Sequence, residues 1–317
     1  MSIKPLSFSS LKTVPLAKRK VDSDEQDFGA PFKSGGSFGD FLCSLPNLGC
    51  SGDLFRLRDT IVSAHRHKHM VILACGGHVF DSGLGPMICR LIEQKIISGL
   101  VLTGAALQQD VEIALSGRTV SVRDRELDDG ALCVTEETGS LINEAINFGA
   151  VENMGIGQSV GLKLQDEELE HLDHSVVASA YRYGVPLAVL PAIGADSFVM
   201  HRSAHGESLG AAGMIDFRLL AGMLAVASNG VVLNIASSAI LPRALLQALG
   251  AAKNLGKNIE KITSAVIDPD AGTGAIADIM SQLSRPDGES FCLCGPDELL
   301  LPLLFAAVLE SIGDDLR

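Results

Sequence analysis

"MVILACGGHVFDSGLGPMICRLIEQ", residues 70–94, is the stretch on which the fold turns. An apolar run from Met70 to Cys75 meets two adjacent glycines, Gly76 and Gly77. A turn holding His78, Asp81 and Ser82 follows, and then a stretch with helical apolar spacing. A short, uniformly apolar run closed by glycines suits a strand buried on both faces. The glycines permit close backbone approach, and the helix that follows would point its positive end at an anion such as a pyrophosphate. No P-loop lysine follows, and Ile88 stands where the third glycine of a dinucleotide fingerprint belongs. The turn alone therefore leaves a phosphate-facing strand end and an ordinary strand-to-helix connection both open.

The same pattern recurs along the chain. "GLVLTG", "PLAVLPAI" and "GVVLNIAS" read as further buried strands, and "ITSAVID" and "SFCLCG" look the same. Helical spacing lies between them in "GPMICRLIEQKI", "TEETGSLINEAINFG", "SVVASAYRYG", "MIDFRLLAGMLAVAS", "PRALLQALGAAKNLG" and "DELLLPLLFAAVLESI". This alternation predicts an α/β protein with a doubly wound, mostly parallel, Rossmann-like sheet and helices on both faces. Upstream, Leu54, Leu57, Ile61 and Val62 fall on one face of a helix. Residues 1–39, polar and broken by Pro5, Pro15 and Pro31, read as an extended arm, and 40–317 as one domain. The acidic run "LQDEELEHLDH" reads as a solvated helix end or loop.

Composition narrows the partners. With 317 residues, 47% of them hydrophobic and 20% charged, the chain can bury a large core. A net charge of −13 argues against a nucleic-acid backbone or an anionic membrane and leaves a small molecule or a protein. No tryptophan and 33 glycines fit many tight strand-to-helix turns. The seven cysteines, scattered and odd in number, indicate buried thiols in a reducing compartment, hence a cytoplasmic protein. The N-terminal residues lack the apolar core of a signal peptide, and no later segment offers about 18 unbroken apolar residues.

Ligands of an open parallel sheet settle beyond the carboxyl ends of its strands. The first end offers Gly77, His78 and Ser82; the second, "LTGAALQQD", offers Thr103, Gly104 and Asp110, whose carboxylate could bond a hydroxyl or an amine. The third, "LPAIGADSFVMHRSAHGE", offers Asp196 and two histidines, His201 and His205, four apart and so on one face if helical. Those imidazoles suit general acid/base work or substrate contact better than metal binding, since only Glu207 stands by as a third ligand. "SAVIDPDAGTGA" supplies Asp270, and "LCGPDELLLPLL" supplies Asp297 at a helix start. Cys292 and Cys294 alternate on a strand as core residues do.

In this order the motifs resemble the deoxyhypusine synthase family, NAD-dependent Rossmann-like enzymes that usually form homotetramers. The stretch from Gly76 to Asp110 is similar to the family's Thr-Ser-Asn-Leu and Ser-Ser-Gly segment and its strand ending Thr-Ala-Gly-Gly before Glu-Asp. "YGVPLAVLPAIGADS" resembles its Ile-Pro-Val strand leading to Thr-Asp, and "MIDFRLL" its Asp-Leu-Arg-Leu-Ile helix. "CGPDELLLPLL" resembles its Asp-Ala-Ser helix. The resemblance implies NAD contacts at Ser82, Thr103 and Asp196, with Gly77, His78, Gly104, Asp270 and Asp297 alongside. His78 stands in place of the family's asparagine, Gln109 in place of its glutamate, and Asp297 one position from its last aspartate. "NIASS" replaces its three glycines.

The family holds its aminobutyl group as an imine on a lysine just before the final strand. Here no lysine occurs from Ile262 to Leu301. The expectation is therefore a deoxyhypusine synthase-like protein that uses NAD on another small amine or amino acid. Asp110, His201 and His205 are its acid/base candidates. An NAD-dependent amino-acid deaminase or cyclodeaminase, and an inactive nucleotide- or metabolite-binding homologue, are the alternatives.

Overall fold

The computed structural model describes residues 3–119, 134–271 and 274–313; Cys133 lies outside them. Residues 3–36 are extended and exposed apart from two single 3-10 turns and the half-buried Asp27. After them come α1 (Phe38–Ser44), α2 (Gly49–Arg66), β1 (Val71–Cys75), α3 (His78–Asp81), α4 (Gly85–Glu93), β2 (Gly99–Thr103) and α5 (Gly104–Ser116). The chain continues through α6 (Glu136–Val151), α7 (Ile156–Asp166), α8 (Val176–Tyr183), β3 (Leu187–Leu190), α9 (Gly206–Ala225) and β4 (Val231–Ile235). It closes with α10 (Ile240–Asn254), β5 (Thr263–Asp268), α11 (Ala275–Leu283), β6 (Ser290–Cys294) and α12 (Asp297–Gly313).

The six strands form one sheet in the order β3-β2-β1-β4-β5-β6, every neighbouring pair parallel. The uniform apolarity of the strand sequences has its cause here. In β1, Val71, Leu73 and Cys75 enter one core, and Ile72 and Ala74 enter another on the opposite face. Helices α2 to α8 and α12 cover the first face; α10, α11 and the second half of α9 cover the other. The predicted apolar face of α2 is buried as a unit, through Leu54, Leu57, Ile61 and Val62.

Strand order sets the location of the crevice. The chain lays down β1, β2 and β3 outward in one direction, then returns to place β4 on the other side of β1. The strand order thus reverses between β1 and β4, and the connections after those two strands leave in opposite directions. One helix, α9, has the length and mean hydropathy, 1.3, of a membrane span. It nevertheless packs on α6, β3 and α10, and its middle carries Asp216, whose Oδ2 accepts N–H bonds from Val189 at 2.9 Å and Gly157 at 3.0 Å.

Candidate functional site

At the reversal point the two strand ends touch. Gly76 N–H donates to Ile235 O at 2.9 Å, and a Cβ on Gly76 would fall 1.8 Å from Ala236 O. Ala236 itself has φ +50, in the left-handed region that favours glycine. The backbone at "NIASS" thus keeps a glycine-type turn with an alanine in it. Gly77 opens α3, and the position of its absent Cβ lies 2.5 Å from Gln109 Oε1, a buried acceptor with no hydrogen-bond partner. The other end of that amide is fixed, since Gln109 Nε2 donates to Asp81 Oδ2 at 2.7 Å.

The ends of β2 and β3 come together beside it. Thr103 is the N-cap of α5, its hydroxyl accepting from Ala106 N at 3.1 Å. A Cβ on Gly104 would overlap Asp196 Oδ2, 1.9 Å away, so only glycine lets that carboxylate reach the helix start. Asp196 also accepts from Ala192 N at 2.6 Å, and burial raises its pKa against the pull of its N–H partners at Ala192 and Ala105. Thr103 and Gly104, at one strand end, and Asp196, at the next, therefore form one group.

A second group joins β1 to α12. Asp297, fully buried in the first turn of α12, lies 3.4 Å from His78 Nε2, and Ser82 Oγ lies 3.3 Å from the same nitrogen. Burial raises the Asp297 pKa and the imidazole opposes the rise. Glu298, which sequence reasoning passed over, stands at the next position with a carboxylate oxygen close to both. Asp270 is exposed past the end of β5, its N–H donating to Asp268 Oδ1 at 2.8 Å.

The three acid/base candidates lie in other surroundings. Asp110 is fully buried and accepts from Ser175 Oγ at 2.5 Å, Val176 N at 2.6 Å and Val177 N at 3.1 Å. It holds the first turn of α8. Burial, offset by those three donors, leaves its pKa raised to about 6. His201 and His205 do not share a helix face: a 3-10 turn over Ser197–Met200 ends before His201, and α9 starts only at Gly206. His201 is buried against α6, its Cγ 2.8 Å from where a Cβ on Gly139 would sit. Its Nδ1 is 2.7 Å from Ser203 Oγ and its Nε2 3.4 Å from Glu136 Oε2. His205 is exposed at the N-cap of α9, where its side chain makes no capping bond.

The sequence model of the deoxyhypusine synthase family matches residues 47–237, from the start of α2 through the glycine-type turn after β4. The chain belongs to the deoxyhypusine synthase family. Solved structures agree at the level of the fold. A candidate deoxyhypusine synthase from Entamoeba histolytica superposes with a TM-score of 0.57 at 15% identity, over 89% of this chain and 96% of that one. A LOR/SDH protein from Methanococcus maripaludis S2 gives a TM-score of 0.54 at 12% identity, over 84% of this chain and 71% of that one. AgrE, in its ternary complex with ornithine and NAD+, gives 0.51 at 16% identity, over 82% of this chain and 33% of its own. The chain thus spans about a third of the length of AgrE. No curated protein matches the sequence.

The structure brings Thr103, Gly104 and Asp196 together at the ends of β2 and β3, and no lysine occurs from Ile262 to Leu301. Lys253, Lys257 and Lys261 all precede β5, in the last turn of α10 and the connection after it.

Proposed function

We propose that this deoxyhypusine synthase-family protein binds NAD across the carboxyl ends of β1 and β2 and acts on a small amine or amino acid without a lysine imine. The observation that carries the reading is the cradle at the strand ends. Three glycines, Gly76, Gly77 and Gly104, sit where any side chain would meet backbone, Gln109 or Asp196. Gly77 would let a pyrophosphate approach the backbone, with the hydroxyls of Thr103 and Ser82 beside it, while the space at Gly104 is taken by the Asp196 carboxylate. Gln109 Oε1, buried and unpartnered, suits a ligand that brings an N–H donor. NAD, when bound, would accept a hydride from a carbon bearing nitrogen. Hydrolysis, cyclisation or transfer of the resulting imine would not need the missing lysine.

The second reading, a nucleotide- or metabolite-binding homologue without turnover, is favoured by one fact: the stretch from Ile262 to Leu301 has no lysine. The structural duty of Asp110 and the burial of His201 against α6 add to it. We retain the arm at 1–39, a cytoplasmic setting and a homotetramer as parts of the proposal, drawn from the sequence and the family resemblance.

Gly77→Asp tests the cofactor site. Its φ of −60° is open to any residue, and the nearest obstruction is the end of the Gln109 side chain, held by its one bond to Asp81, so the fold should tolerate the change. A carboxylate there would face the pyrophosphate. NAD affinity measured by calorimetry should fall about tenfold or more, corresponding to roughly 1.4 kcal/mol; unchanged affinity would move the cofactor elsewhere.

A further inference from the structure

The geometry points to a divalent-cation site, of zinc type, built from His78, Asp297 and Glu298 at the junction of α3 with the start of α12. It requires no bound dinucleotide and stands apart from the NAD reading.

One imidazole nitrogen and two carboxylate oxygens, one from each residue, lie within 4.8 Å of one another. His78 Nε2 and Asp297 Oδ1 are 3.4 Å apart. Two ligands each about 2.0–2.1 Å from a tetrahedral zinc ion are separated by ~3.3 Å, so this pair already has the spacing of neighbours in one coordination sphere. The second observation is the state of Asp297. Its side chain is fully buried, and apart from the imidazole 3.4 Å away neither carboxylate oxygen has a hydrogen-bond partner among the described residues. A buried carboxylate without donors is costly, and natural structures pair such groups or give them to a metal. A protonated His78 would answer one oxygen only; a cation between the three residues answers both residues of α12 at once.

The surroundings suit an open site. His78 and Glu298 are exposed, so an ion could enter and retain water in a remaining position. Ser82 Oγ, 3.3 Å from His78 Nε2, is placed to bond such a water. One nitrogen with two carboxylates selects zinc or another first-row divalent ion over calcium, which prefers six to eight oxygens. A metal here would sit at the end of β1, beside the proposed cofactor cleft, where it could hold the lone pair of a neutral substrate amine.

The test is a titration of the full-length, chelator-treated protein with Zn2+ and then with Co2+, following heat and the visible absorption of bound cobalt. His67 and His69 stack ring on ring just after α2, so the reference protein carries His67→Ala and His69→Ala to keep added metal off that pair. One ion per chain is expected, with cobalt absorption of a site lower than six-coordinate. His78→Ala, a change at an exposed side chain, should weaken binding by about 100-fold or more, since even outer-shell losses cost 10–100-fold. Glu298→Gln should weaken it by about tenfold or more while leaving NAD affinity unchanged. Absence of stoichiometric binding in the reference protein, or equal affinity in His78→Ala, would overturn the assignment. A loss of NAD binding with zinc binding intact would count against the cofactor reading alone.

Discussion

Gly76→Ala is expected to be among the most damaging single-methyl changes in the protein. The added carbon would sit 1.8 Å from Ala236 O and 2.7 Å from the Ala236 carbonyl carbon, both backbone atoms that no rotamer change can move aside. Relief requires the ends of β1 and β4 to part by more than 1 Å, and with them the Gly76 N–H bond to Ile235 O. Overpacking of a rigid site costs about 3 kcal/mol, seen as a lower denaturant midpoint in urea. Gly210→Ala is the control. That glycine lies inside α9 with nothing within 4 Å of its Cβ position, so alanine should stabilise by about 0.5–1 kcal/mol. Equal midpoints for the two variants would mean that the strand ends are not closed as described.

Asp216→Ala should be comparably destabilising for a different reason. The edge strand β3 turns the N–H of Val189 away from its neighbour, and the start of α7 leaves the N–H of Gly157 free; Asp216 Oδ2 accepts from both. Deleting the carboxylate strands two buried donors at about 1–3 kcal/mol each, for a loss of roughly 3–5 kcal/mol. The pH dependence is distinctive. Burial, only partly offset by those donors, pushes the Asp216 pKa from 3.8 up to about 7. Between these limits the native state binds more protons than the unfolded chain, so the contribution of Asp216 to stability declines as pH rises from about 4 to 7 and is level above that. Asp216→Asn has no such titration. The stability of the wild type relative to Asp216→Asn should therefore increase as pH is lowered from 8 to 5; a constant difference would place the carboxyl's pKa at its ordinary value.

Much of the fold was legible in the sequence because the sheet is covered on both faces. All six strand runs are predominantly apolar, and each is a strand. Three helices lack a sequence signal: the single turn α3, α7 and α11. In α7 the sequence "IGQSVGLKLQD" contains glycines that weaken helix propensity, yet a Cβ at Gly157 would meet Leu187 O at 2.3 Å and one at Gly161 would meet Tyr181 Cβ at 2.7 Å. Those glycines serve contact with β3 and α8, which only tertiary packing reveals.

The site was legible in part for the same reason. Thr103, Gly104 and Asp196 follow strands that end on one edge, so strand order alone brings them together. Asp110 and Asp216 look like surface polar residues of amphipathic helices. Their roles depend on N–H groups of α8, and of α7 and β3, which no local pattern announces. A spacing of four puts His201 and His205 on one face only in a helix, and no helix spans them, since the 3-10 turn ends at Met200 and α9 begins at Gly206. Glu298 was passed over because its partner, His78, is more than 200 residues earlier in the chain.

We propose that this deoxyhypusine synthase-family fold, with no lysine from Ile262 to Leu301, still holds NAD at the ends of β1 and β2. Calorimetric titration of the purified full-length protein with NAD, alone and then with polyamines and basic amino acids present, tests it most directly. The account predicts saturable binding near one NAD per chain, strengthened by one of the amines and weakened in Gly77→Asp. Absence of saturable NAD binding by the folded protein under every one of these conditions would contradict it.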